Sequence, residues 1–156
     1  MSVNAHKMKY LPLVLVPFLV FGCKPRNLLE NTLSFGVSQA SESAVEQLTS
    51  GEVNEAKVRE LADALNKELS VPVMLDESIR LNSIDADGLS LVYNYELIGY
   101  SSQEVAATVQ NLSLGGVCNA LNGAFKNGLR GAVYNYSGSE GSVVRSFRVQ
   151  SSQCGY

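Results

Sequence analysis

Histidine is almost missing from this 156-residue chain: the one copy is His6. Everything from Lys7 onward lacks an imidazole, and with it a base of near-neutral pKa and the commonest nitrogen ligand for metals. A Ser-His-Asp apparatus is excluded there on the same ground, and no G-x-S-x-G turn is present. Tryptophan is absent. Long hydrophobic runs are wanting too. The apolar stretch Tyr10–Phe21 has 12 residues and contains Pro12 and Pro17, against the roughly 20 that a membrane-spanning helix needs. Basic residues are scarce, 12 Lys and Arg against 15 Asp and Glu, for a net charge of −3. Non-specific nucleic-acid binding requires the opposite balance.

The short apolar stretch has a different meaning. Lys7 and Lys9 precede it and Gly22 follows it. A basic start, an apolar middle and a small residue at the end form the three-part pattern of an export signal. The segment Val20-Phe21-Gly22-Cys23 resembles the lipobox of bacterial lipoproteins. That resemblance implies cleavage before Cys23, attachment of lipid to Cys23 and residence in a bacterial envelope. Lys24, in place of Asp, implies sorting to the outer membrane, with the domain facing the periplasm. The expected organisation is a signal peptide over 1–22, a lipidated N-terminus and polar tether over 23–50, and one domain over 51–156.

Loss of residues 1–22 removes two of the 12 basic residues, leaving 10 against 15 acidic, a balance of −5. Such a domain has no electrostatic reason to lie on anionic lipid; its membrane contact is through the lipid. With Cys23 taken by lipid, Cys118 and Cys154 remain, an even pair in an oxidising compartment, and are expected to form a disulfide.

Past the tether, which reads as a polar spacer with a short helix over Glu42–Leu48 as the alternative that the S-x-x-E spacing offers, Glu52–Leu69 is the clearest helix. Val58, Leu61, Ala62, Leu65 and Leu69 share one face, and Pro72 ends it. Ile79–Ile84 reads as a strand, Asp85–Gly88 as a hairpin turn, and Leu89–Leu97 as a strand with Leu89, Leu91, Tyr93, Tyr95 and Leu97 toward the core. Ser101 and Glu104 have capping-box spacing before a helix over Ser102–Leu112. Gly115-Gly116 is expected to break or bend it, with a second segment over Val117–Lys126. Leu129–Tyr136 and Ser142–Gln150 are the last strands, joined by a glycine-bearing turn. The expected fold is α+β: a two-layer domain, an antiparallel sheet of about four strands with helices on one face, in the order α-β-β-α-β-β. Val92-Tyr93-Asn94-Tyr95 recurs as Val133-Tyr134-Asn135-Tyr136, which opens the question of two α-β-β halves.

No catalytic, metal or cofactor site is expected. Asp85, Asp87 and Gly88 offer part of a calcium loop, but the third oxygen residue and the closing Glu do not follow; a turn explains them. Asp76 and Glu77 read as a solvated loop. Tyr134, Tyr136 and Arg148 are the candidate partner-binding residues. If they lie on an open sheet face, they form the aromatic, Arg-bearing patch that interfaces favour; core filling is the competing reading of the tyrosines. The expected role is that of a non-enzymatic adaptor, chaperone or assembly factor that binds envelope proteins. The alternative is a periplasmic inhibitor or immunity protein against an envelope-acting toxin or hydrolase.

Overall fold

The computed structural model describes residues 53–109 and 114–156. The expected signal peptide, lipidated Cys23 and tether, with the alternative helix Glu42–Leu48, lie outside the described residues, as does Leu112.

Helix α1 (Glu55–Glu68) starts where Asn54 Oδ1 accepts a hydrogen bond from the Lys57 amide, relieving one of the unpaired donors of the first turn. It buries the predicted face, Val58, Leu61, Ala62 and Leu65. A two-residue strand, β1 (Val73–Met74), follows, then β2 (Ile79–Asp87) and β3 (Ser90–Leu97). The β2–β3 loop is Gly88-Leu89. Gly88 has φ +59° and Leu89 is not among the positive-φ residues, the pattern of a two-residue turn whose first central position favours glycine.

Three short helices then carry the chain across: α2 (Ser102–Thr108), α3 (Leu114–Ala120) and α4 (Asn122–Lys126). The capping box at α2 is present. Glu104 Oε2 accepts from the Ser101 amide at 2.8 Å, and the Glu104 amide donates back to Ser101 Oγ. Gly115 and Gly116 lie inside α3, which corrects the expected break at that pair; α2 ends upstream, at Val109. Strands β4 (Gly131–Ser137) and β5 (Val143–Gln150) complete the sheet, and a 3₁₀ turn over Ser151–Cys154 follows.

The fold is α+β, but the sheet differs from the expected one in three respects. It has five strands in the order β1-β2-β3-β4-β5, because β1 adds to the β2 edge. The element order is α-β-β-β-α-α-α-β-β. The sheet is mixed, since β3 and β4 pair in parallel while the other pairs are antiparallel. The physical reason is the long helical connection between Leu97 and Gly131. It is a crossover, long enough to return the chain to the same end of the sheet before β4 begins.

One face of the sheet carries the core. Ile79, Leu81 and Ile84, then Leu91, Tyr93, Tyr95 and Leu97, then Ala132, Tyr134 and Tyr136, and finally Val149 are buried in one cluster. The helices, with the turn between α3 and α4 at Leu121, complete it through Val58, Leu61, Leu65, Val105, Val117, Leu121 and Phe125. Burial of this apolar surface is the main driving force for the fold. At the C-terminus, Cys118 Sγ and Cys154 Sγ stand at disulfide distance, with Cα atoms 5.4 Å apart. The pair ties α3 to the turn that follows β5.

Candidate partner-binding face and edge

The repeated tetrapeptides are direct neighbours. In the parallel pairing, Val92 lies beside Val133, Tyr93 beside Tyr134, Asn94 beside Asn135 and Tyr95 beside Tyr136. Strand alternation then sends each identical pair to the same side. The four tyrosines go to the core, stacked as plates: ring centroids are 5.2 Å apart for Tyr93–Tyr134 and 5.3 Å for Tyr95–Tyr136. Phe147 closes the row, its ring at 78° to that of Tyr136.

This placement corrects the expected surface patch. Tyr134 and Tyr136 are 1% and 0% exposed, because their parity is that of Ala132, which faces the helices. Arg148 lies on the opposite face, exposed, and pairs with Asp87 at 3.3 Å. The three residues are not one site. Burial disfavours the phenolate and raises the tyrosines' pKa values above the ordinary 10. For Tyr95 and Tyr134 the neighbouring tyrosines add to that rise. Among the described residues the Tyr136 hydroxyl has no hydrogen-bond partner.

The face away from the helices is polar and internally bonded. Ser83 Oγ and Asn94 Nδ2 both donate to Asp85 Oδ2, at 2.8 and 2.7 Å. Asn135 Nδ2 donates to Asn94 Oδ1 at 2.9 Å, and Ser146 Oγ donates to Asn135 Oδ1 at 2.8 Å. This chain of side chains crosses β2, β3, β4 and β5. Beside it, Arg80 and Asn82 both donate to Glu96 Oε2. Bonds from Asn82, then from Arg80, hold the Glu96 carboxyl below its ordinary value.

Of the other acidic candidates, Asp76 keeps one carboxylate oxygen, Oδ2, buried without a hydrogen-bond partner among the described residues. Asp85 and Asp87 take part in the bonds just described. Asp76 Oδ1 accepts from the Ser78 amide, the Ser78 hydroxyl and the Ile79 amide, shaping the turn into β2, while Glu77 is exposed. Among the described residues no group of three or more His, Cys, Asp and Glu is placed to hold a metal ion.

The two sheet edges are treated differently. At the β2 edge, β1 covers Arg80 and Leu81. Further along, the Asn66 side chain of α1 acts as a stand-in strand: Nδ2 donates to the Ile84 carbonyl at 2.6 Å, and the Ile84 amide donates to Oδ1 at 2.8 Å. At the β5 edge the outermost strand is mostly exposed, including Arg145, Ser146, Arg148 and Gln150.

No protein-family model matches the chain, and no curated protein matches it in sequence. Three solved structures are similar to it. One is a protein of Pseudomonas aeruginosa described as secreted, with TM-score 0.49 and 14% identity, over 75% of this chain and 97% of that one. The second is the type 2 secretion-system pilotin EpsS of Vibrio vulnificus, with TM-score 0.47 and 16% identity, over 72% and 96%. The third is the type II secretion-system pilotin AspS of Vibrio cholerae, with TM-score 0.44 and 12% identity, over 74% and 99%. At these scores and identities nothing about role passes from those proteins to this chain.

Sequence reasoning missed Asn66, Asn94, Asn135 and Ser146. For Asn94 and Asn135 the signal was the repeated tetrapeptide itself, read as a side-by-side pair. Asn66 carries no local signal, since its partner is 18 residues away.

Proposed function

We propose that this chain is an envelope-anchored lipoprotein that acts as a non-enzymatic adaptor or assembly factor by binding other envelope proteins. The observation that carries the reading is the one-sided sheet. The helices pack on one face, while the second face and the β5 edge carry exposed polar and charged side chains. That arrangement suits protein recognition. The lipobox resemblance at Val20–Cys23 supplies the anchor, and the lipid acts by raising local concentration at one surface. The pairing of Cys118 with Cys154 suits an oxidising compartment. A domain without histidine, whose carboxylates on the open face accept hydrogen bonds from neighbouring side chains, has little with which to run acid–base chemistry.

The test is isolation of the full-length protein from cross-linked envelopes of its native host. Recovery with components of a membrane-bound assembly supports the adaptor. Recovery with a single secreted toxin or hydrolase, inhibited on binding, selects the inhibitor reading instead. Substrate turnover by the purified chain contradicts both.

A further inference from the structure

We propose that β5 takes up an extended acidic segment of a partner protein as a sixth strand. The inference rests on the adaptor reading above and names how the partner is held.

The backbone argument begins at the end of β5. The Ser151 amide donates to the Arg130 carbonyl, while the Arg130 amide turns to the Leu89 carbonyl, so one bond of the antiparallel ladder marks this pair and sets which β5 residues face β4. Pairs of that kind recur every second residue. Val149 with Ala132, Phe147 with Tyr134 and Arg145 with Tyr136 are therefore the bonded pairs of the β4–β5 register. The intervening residues Ser146, Arg148 and Gln150 point their amides and carbonyls away from β4. The Gln150 amide is capped by Gln153 Oε1 at 2.8 Å. Ser146 and Arg148 have no such cap among the described residues. They present donors and acceptors in a straight row, the template used in strand addition. The opposite edge, with β1 and the Asn66 amide over it, has no equivalent row at Arg80, Leu81 and Ile84.

Charge selects the occupant. Arg145 and Arg148 are exposed and β5 holds no acidic residue. Arg145 donates to the Ala106 carbonyl, and Arg148 meets Asp87 only at 3.3 Å. Alternation places these two arginines on opposite faces of the sheet. An added strand with carboxylates on either side thus meets a guanidinium. A second copy of β5 would instead add two more arginines along the same edge with no acidic residue to oppose them, which disfavours self-pairing.

The test uses the full-length chain in detergent and two blocked synthetic peptides of about ten residues, the length of a long strand. One alternates Glu with Val and the other alternates Lys with Val. Amide hydrogen exchange is read residue by residue. The Glu peptide is expected to slow exchange at Ser146 and Arg148 by about ten-fold or more, with little change at β1. Ser146→Pro is expected to abolish the protection, because it removes an outward amide that β4 does not use. The Arg145→Glu, Arg148→Glu double variant is expected to prefer the Lys peptide, which keeps the test independent of the proline. Unchanged exchange at both amides, equal protection by both peptides, or protection in the free chain through a β5–β5 dimer would overturn the proposal. The two readings fail separately. A Ser146→Pro chain that still recovers the wild-type envelope partner removes the added strand and leaves the adaptor. A wild-type chain that recovers none removes the adaptor.

Discussion

Asn135 donates a hydrogen bond to Asn94 at 2.9 Å across a parallel strand pair, and each is the third residue of an identical Val-Tyr-Asn-Tyr segment. In-register identity places like beside like, so one motif builds both layers of the sheet. Its tyrosines form the stacked core, and its asparagines form the centre of the polar face.

The cost of that core is the Tyr136 hydroxyl, buried without a partner among the described residues. Desolvating a hydroxyl without a replacement bond is unfavourable. Tyr136→Phe is expected to leave stability unchanged or to raise it by about 1 kcal/mol, measured by urea denaturation. A loss above about 2 kcal/mol would show a hidden bond. Because burial raises the pKa values of Tyr93, Tyr95, Tyr134 and Tyr136, the folded state holds them neutral. Their contribution is complete below the unfolded value of 10 and is lost as pH rises beyond it. Tyrosinate absorbance from these four should therefore develop together with alkaline unfolding.

Asn66 is the second structural test. Its amide satisfies both backbone groups of Ile84 where β1 does not reach. Asn66→Ala leaves that donor and acceptor without partners, and a loss of about 1–3 kcal/mol is expected. A wild-type denaturation midpoint in Asn66→Ala would contradict the account.

Gly138 marks a close approach of two backbones. A Cβ there would lie 2.7 Å from the Tyr100 carbonyl oxygen. That oxygen also accepts the Ser139 amide, so it is held in place. Gly138→Ala is expected to cost about 1–3 kcal/mol, while Gly99→Ala would meet no atom within 4 Å and pay only for its φ of +80°. The pair of variants separates crowding from backbone strain.

Glu96 sets an acid-side dependence. Its carboxyl is held below the ordinary 4.5 by Asn82 and Arg80, so its contribution is present above that value. It is lost as pH falls from there through the lowered folded value. Denaturation midpoints compared between pH 7 and about pH 3 should fall less steeply in Glu96→Gln than in the wild type. Parallel slopes would show that the Arg80–Glu96–Asn82 cluster contributes nothing.

The local grammar of the fold was legible. Apolar period marked α1, alternation marked β3, Ser101 and Glu104 marked the start of α2, and the cysteine count paired Cys118 with Cys154. What escaped was decided by long-range partners. Whether β3 and β4 run parallel depends on the path of the crossover, and no residue within either strand records it. Strand β1 is two residues long, too short for any pattern, and exists because the β2 edge accepts it. Tyr134 and Tyr136 were ambiguous because Gly131, Ala132, Val133 and Tyr134 are all buried in β4, so alternation in hydropathy is lost on a central strand. The candidate edge was less legible still, since which amides face outward follows from the pairing register and not from residue type.

Whether Cys23 is the lipid-bearing first residue decides the anchoring on which the adaptor role depends. Intact-mass analysis of protein from the native host measures it directly. The account predicts a polypeptide beginning at Cys23, heavier by its acyl chains, with no titratable thiol after denaturation without reductant. A chain still carrying residues 1–22, with a free thiol at Cys23, would contradict it.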